Sequence, residues 1–209
     1  NGTASLTGGN DVVIQITGIQ TISSTLAAKS QSPNKFFAVS TDSGGGPIVR
    51  ISFADGSGFS FFAYDTSFTG GVRTAIGDVN GDGLAEILSA QSWYSIKLIS
   101  PLTEEVLWSK QSDLNIDALV LADVNQDGRL DGVYGDGQWG SLYAFDLQNG
   151  EDFWTISNPE HGVTNIIIAD LDNDGSQDIG WGAGYSSSGA DYFFIHDLTS
   201  KQLKWQSHY

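Results

Sequence analysis

A chain of 209 residues, 40% of them hydrophobic, is long enough to bury a substantial core. Acids outnumber bases 25 to 9, and a net charge of −16 is a poor match for nucleic acid or an anionic membrane, which argues against both as partners. Cysteine is absent, so a disulfide framework and thiolate zinc sites are excluded, and no apolar run is long enough for a spanning helix.

The chain opens at Asn1, contains no methionine and shows no signal peptide, which reads as a mature or excised piece of a longer precursor. Asn1-Gly-Thr3 is formally a glycosylation sequon, a single match at the terminus. Residues 1–34 are expected to form an N-terminal strand or extension, with Asp11–Thr17 alternating as a strand does, and 35–209 a repeat domain. Residues 35–68 predict the first unit of that domain: strands Lys35–Ser40, Ile48–Phe53 and Phe59–Tyr64, with a Gly44-Gly-Gly-Pro47 turn.

After this unit one acidic motif is written three times. It reads Asp78-Val-Asn-Gly-Asp-Gly-Leu-Ala-Glu86, Asp123-Val-Asn-Gln-Asp-Gly-Arg-Leu-Asp131 and Asp170-Leu-Asp-Asn-Asp-Gly-Ser-Gln-Asp178, with starts 45 and 47 residues apart. A fixed period of this length is the mark of a repeat array. The motif is flanked by apolar strands, Ala118–Asp123 with Leu130–Tyr134 and Asn165–Asp170 with Asp178–Trp181. Hairpins follow at Ser95–Trp108, Ser141–Trp154 and Asp191–Trp205, each ending in tryptophan. Those tryptophans are expected to pack between units. Four strands per unit of about 46 residues is the size of a propeller blade. The expected fold is therefore all-β, a β-propeller-type array of about four four-stranded blades, standing alone or within a larger propeller of seven or eight blades.

Oxygen ligands at positions 1, 3 and 5, glycine at 6 and an acid at 9 describe a calcium loop. The expected ligands are Asp78, Asn80, Asp82, Leu84 (main-chain carbonyl) and Glu86; Asp123, Asn125, Asp127, Arg129 (carbonyl) and Asp131; Asp170, Asp172, Asp174, Ser176 (carbonyl) and Asp178. Repeat one departs from the others in carrying Glu86 at position 9. An EF-hand needs a bidentate Glu at position 12 and flanking helices. Position 12 is Ser89, Tyr134 or Trp181 here and the flanks are strand-like, so that reading fails. The competing reading is a set of ordinary Asp/Asn/Gly turns without metal. Ten carboxylates at matched positions weigh against it, because clustered like charges repel one another unless a cation joins them. Calcium at three sites is the expected cofactor, and three ions would bring the formal charge to about −10. Weak calcium sites fill where calcium is near millimolar, which predicts an extracellular or cell-surface setting.

The loops between the second and third strands of each unit carry Trp93 and Tyr94, then Trp139, then Tyr185, with the first members 46 residues apart each time. Gln91, Asp136, Gln138, Ser186 and Ser187 lie beside them. Flat aromatics beside amides and hydroxyls suit a sugar ring, and Tyr and Trp equally form protein contact sites. The alternative is that they cover blade tops and touch no ligand. Catalysis has little support: the three histidines, His161, His196 and His208, form no metal motif, and no nucleophile elbow or phosphate loop occurs.

Residues Phe61–Gly83, with Gly44-Gly-Gly-Pro-Ile-Val-Arg50 upstream and the three acidic loops, resemble the FG-GAP/VCBS repeats of bacterial surface proteins. The resemblance spans roughly residues 35–208. FG-GAP repeats also build the integrin α-subunit propeller, where Asp-rich loops between the first two strands of a blade bind calcium. The resemblance implies an extracellular calcium-binding adhesion or recognition module with a protein or glycan partner, while the net charge argues against nucleic acid and the lack of a long apolar run against membrane insertion. A carbohydrate-binding lectin using the Trp/Tyr face is the alternative. A fragment of a polysaccharide-degrading lyase is a second, although only nine basic residues are present and they do not cluster. With fewer blades than a closed propeller of this family, the array is also expected to self-associate or to pack against further blades.

Overall fold

The computed structural model describes residues 36–138, 140–184 and 191–208. The expected N-terminal extension, its Asp11–Thr17 strand and the Asn1 sequon lie outside them, as do Lys35, Trp139 and Tyr185.

Within the described residues the regular structure is all β-strand. The strands are β1 Phe36–Ser40, β2 Ile48–Phe53, β3 Gly58–Phe62, β4 Arg73–Gly77, β5 Glu86–Gln91, β6 Ser95–Ile99, β7 Val106–Gln111, β8 Ile116–Ala122, β9 Asp131–Asp136, β10 Ser141–Phe145, β11 Asp152–Ser157, β12 Val163–Ala169, β13 Asp178–Ala183, β14 Phe193–Asp197 and β15 Leu203–Gln206. They form one three-stranded sheet, β1–β3, and three four-stranded sheets, β4–β7, β8–β11 and β12–β15, with neighbouring strands consecutive in sequence. Antiparallel meanders of this kind are propeller blades. The fold is a β-propeller-type array, as the period of the acidic motif predicts.

The sheets form because the apolar residues alternate. In β2, Val49, Ile51 and Phe53 are buried while the residues between them are half-exposed. The second strands are covered on both faces: β9 is buried from Asp131 to Asp136. Room for that burial comes from glycine. A Cβ on Gly132 would lie 2.2 Å from the Phe145 ring, and one on Gly135 would lie 2.3 Å from Val163.

The chain divides into two compact units, residues 36–91 with 96–109, and residues 92–95 with 110–208. In the first, Val49, Ile51, Phe59 and Phe61 pack with Val72, Ile87 and Ile99. There β1 lies beside β4, and Val72 N–H donates to the Thr41 carbonyl at 2.9 Å. In the second, Ala118, Val133, Leu142, Ala144 and Ile156 of one sheet pack on Val163, Ile166, Ile179, Trp181 and Phe194 of the next, with β8 beside β12.

The face of β8–β11 that receives β12–β15 is well covered, whereas the corresponding face of β12–β15 is open. Ile167, Phe193 and Trp205 stand where Val120, Leu142 and Trp154 stand one repeat earlier, and they are 54%, 63% and 48% exposed. The expectation for the tryptophans therefore holds unevenly. Trp154 packs against the core with the Lys201 ammonium 4.7 Å above its ring. Trp205 lies on the open face, because no sheet among the described residues follows β15.

Candidate functional site

Each acidic motif joins the first strand of a sheet to the second: β4 to β5, β8 to β9, and β12 to β13. The three loops share one hydrogen-bond pattern. The carboxylate at position 1 accepts the amide of the position-6 glycine: Gly83 to Asp78 at 2.8 Å, Gly128 to Asp123 at 2.8 Å, Gly175 to Asp170 at 3.0 Å. Position 3 accepts the amide of position 5, so Asn80, Asn125 and Asp172 hold Asp82, Asp127 and Asp174. Position 5 in turn accepts from Leu84, Arg129 and Ser176 at 2.7–2.9 Å. Side-chain oxygens at alternate positions thereby each hold a backbone amide of the tight turn.

The turn needs a left-handed backbone at position 6, where φ is +84°, +87° and +89°. A Cβ on Gly128 or Gly175 would meet nothing within 4 Å, so the requirement there is conformational and not one of space. Position 4 is left-handed too, at Gly81, Gln126 and Asn173, a feature masked in the sequence by three different residue types.

Position 9 differs in kind from positions 1, 3 and 5. Glu86, Asp131 and Asp178 open the second strand and are buried, and each accepts the amide of position 2: Val79, Val124 and Leu171, at 3.0–3.1 Å. Sequence reasoning marks these acids as ligands but misses that they pin the loop to the sheet. Burial pushes the Asp131 carboxyl up to about 6, with the nearby charges of Asp127, Asp146 and Asp123 adding to it. Burial likewise raises Glu86, with Asp82 and Asp78 contributing. Loops one and two thus hold buried negative charge against neighbouring negative charge, and a cation fits that deficit.

Loop three is different. Asp170, Asp172 and Asp174 bring carboxylate oxygens within 4.8 Å of one another, a group able to hold a metal. The Lys204 ammonium on β15 also lies there, 2.6 Å from Asp172 Oδ2, 2.7 Å from Asp174 Oδ2 and 3.0 Å from Asp178 Oδ1. Its hydrogen bonds, first to Asp172 and then to Asp174, raise the lysine, and the Lys204 bond holds Asp174 below the usual carboxylate range. In loop two the comparable contact among the described residues is at the surface, where the Arg129 guanidinium meets Asp127 Oδ2 at 2.9 Å. Lys204 was not legible as a site residue. Its one signal is position, for it precedes Trp205 as Leu107 precedes Trp108 and Phe153 precedes Trp154.

Of the aromatic candidates, Trp93 and Tyr94 lie in the β5–β6 turn and are 50% and 58% exposed. Trp93 has φ +70°, an unfavourable value for a bulky residue, while its N–H donates to the Leu114 carbonyl at 2.8 Å. Trp139 and Tyr185, with Ser186 and Ser187, lie outside the described residues. Asp136 is buried, and its Oδ1 accepts the Gln138 amide at 2.9 Å, which removes it from a polar surface around the aromatics.

No family model matches the chain, and no curated protein matches it. Among solved structures the chain is similar to one titled "Crystal Structure of Mitotic Checkpoint Complex", with TM-score 0.56 and 10% identity over 82% of this chain. That match spans 48% of the other chain, so this chain covers about half its length. Likeness at this identity bears on the fold alone, and the fold is propeller-type.

Proposed function

We propose that the protein is an extracellular calcium-binding adhesion or recognition module of FG-GAP/VCBS type, in which the cation is structural. The observation that carries this reading is the shared hydrogen-bond pattern of the three loops, with side-chain oxygens at positions 1, 3 and 5 accepting turn amides beside a buried acid at 9. Asp78, Asn80, Asp82 and Glu86 would hold an ion in loop one, and Asp123, Asn125, Asp127 and Asp131 in loop two. The Leu84 and Arg129 carbonyls would supply a further oxygen each. Loop three offers Asp170, Asp172, Asp174 and Asp178 with the Ser176 carbonyl. Hard oxygens in flexible number suit calcium, which would tie together the two strands that an ion-bearing loop joins.

The open face of β12–β15 supports a protein partner or a further blade, since the equivalent face one repeat earlier is covered by a sheet. Thermal unfolding with and without a chelator tests the calcium reading. Melting at a higher temperature in millimolar calcium than in chelator is expected, and identical melting overturns it.

A lectin is the second reading, favoured by the exposed, left-handed Trp93 beside Tyr94. A glycan array in millimolar calcium separates the two: sugar binding lost on Trp93→Ala makes the module a lectin, and a blank array assigns it to protein adhesion.

A further inference from the structure

The third acidic loop carries four carboxylates where the first two carry three, because Asp172 stands in place of Asn80 and Asn125. Among the described residues it is also the one loop of the three to receive a lysine from its own sheet. Each of the three carboxylates that Lys204 touches already spends one oxygen on a backbone amide. Asp172 Oδ1 accepts from Asp174, Asp174 Oδ1 from Ser176, and Asp178 Oδ2 from Leu171. The ammonium takes the other oxygen of each pair, at 2.6, 2.7 and 3.0 Å. Asp178 is fully buried, and the charge facing its Oδ1 is the Lys204 ammonium, 3.0 Å away. These are the oxygens left over for a cation once the loop has closed on itself. At the matching strand position loops one and two have Leu107 and Phe153, which offer no charge.

We infer that loop three carries its own cation: the Lys204 ammonium occupies the position that calcium would take, holding the loop in the calcium-loop shape without metal. The inference rests on the calcium reading of loops one and two. The array would bind divalent cation at two loops and be built with an internal ammonium at the third, so that the last sheet keeps its first turn closed at any calcium concentration. Calcium can enter loop three only by displacing three ammonium contacts, which at the strength of partly exposed pairs weakens its binding roughly tenfold or more.

The test follows the backbone amides of Gly83, Gly128 and Gly175 by nitrogen–proton NMR during a calcium chloride titration of the whole chain. Gly83 and Gly128 are expected to shift over one concentration range, with Gly175 unmoved until calcium is at least tenfold higher. In Lys204→Met, Gly175 is expected to shift in the same range as the other two. Gly175 moving together with Gly128 in the unaltered protein overturns the inference and leaves the calcium reading standing. So does Lys204→Met that leaves Gly175 unresponsive while Gly83 and Gly128 respond. No movement at any of the three overturns the calcium reading, and the inference with it.

Discussion

Replacing Asp131 by asparagine is expected to reverse the stability order of variant and parent according to calcium. In the folded protein the Asp131 carboxyl is buried and pushed from 3.8 up to about 6. At pH 7 without calcium the carboxyl is ionised in folded and unfolded chains alike, and burial makes that charge costlier in the fold. The cost is up to about 3 kcal/mol. Asparagine keeps an oxygen for the Val124 amide, bonded at 3.1 Å in the parent, and removes the charge. After the cost of burying its own amide, a net gain of about 1–2 kcal/mol is expected in chelator. That corresponds to a melting temperature higher by roughly 2–8 °C for a chain of this size. With calcium at a hundredfold excess over its dissociation constant the parent gains about 2.7 kcal/mol from an intact site, and the variant forfeits it.

The sign with pH follows from a raised carboxyl. The favourable contribution of Asp131 is full below 3.8, where the residue is protonated in both folded and unfolded chains, and is lost as pH rises through about 6. The advantage of asparagine in chelator is thus present at pH 7 and gone at pH 4. Differential scanning calorimetry at both pH values, with chelator and with calcium, reads all four conditions. A variant less stable than its parent in chelator at pH 7, or an advantage unchanged at pH 4, refutes the reasoning.

Three further outcomes are expected. Gly132→Ala drives a methyl group to 2.2 Å from the fully buried Phe145 ring, so urea unfolding should register a loss of about 1–3 kcal/mol or more, against near-neutrality if the ring has room. Ile167→Asp on the open face of β12–β15 should alter folding stability by about 0.5 kcal/mol or less while abolishing concentration-dependent association in sedimentation velocity. A parent that stays monomeric at every concentration contradicts that. Trp93→Gly removes a bulky side chain from φ +70° and should melt no lower than the parent, and on the lectin reading it should lose sugar binding. Loss of folding instead makes Trp93 a structural residue.

Much of the fold was legible because its signals are local. The strand expected at Ile48–Phe53 forms over those residues, and the one expected at Phe59–Tyr64 forms at Gly58–Phe62, since alternation and turn glycines mark both. The acidic loops were equally plain, their spacing repeating a local backbone shape. The rest depends on partners remote in sequence. That Asp131 is buried while Asp127 is exposed follows from position 9 being the first residue of a strand covered on both faces. Lys204 reaches loop three from the fourth strand of the sheet, about 30 residues downstream of Asp174, and no local pattern announces the pair. Trp205 shares its repeat position with Trp154 but not its environment, because burial there is conferred by a following sheet.

The most direct measurement of the central claim is isothermal titration calorimetry of the chelator-treated protein with calcium, and separately with magnesium. The account predicts saturable calcium binding at loops one and two and much weaker binding of magnesium, whose strict octahedron these flexible oxygen sets do not match. Heats no different from dilution, or magnesium bound as tightly as calcium, would contradict it.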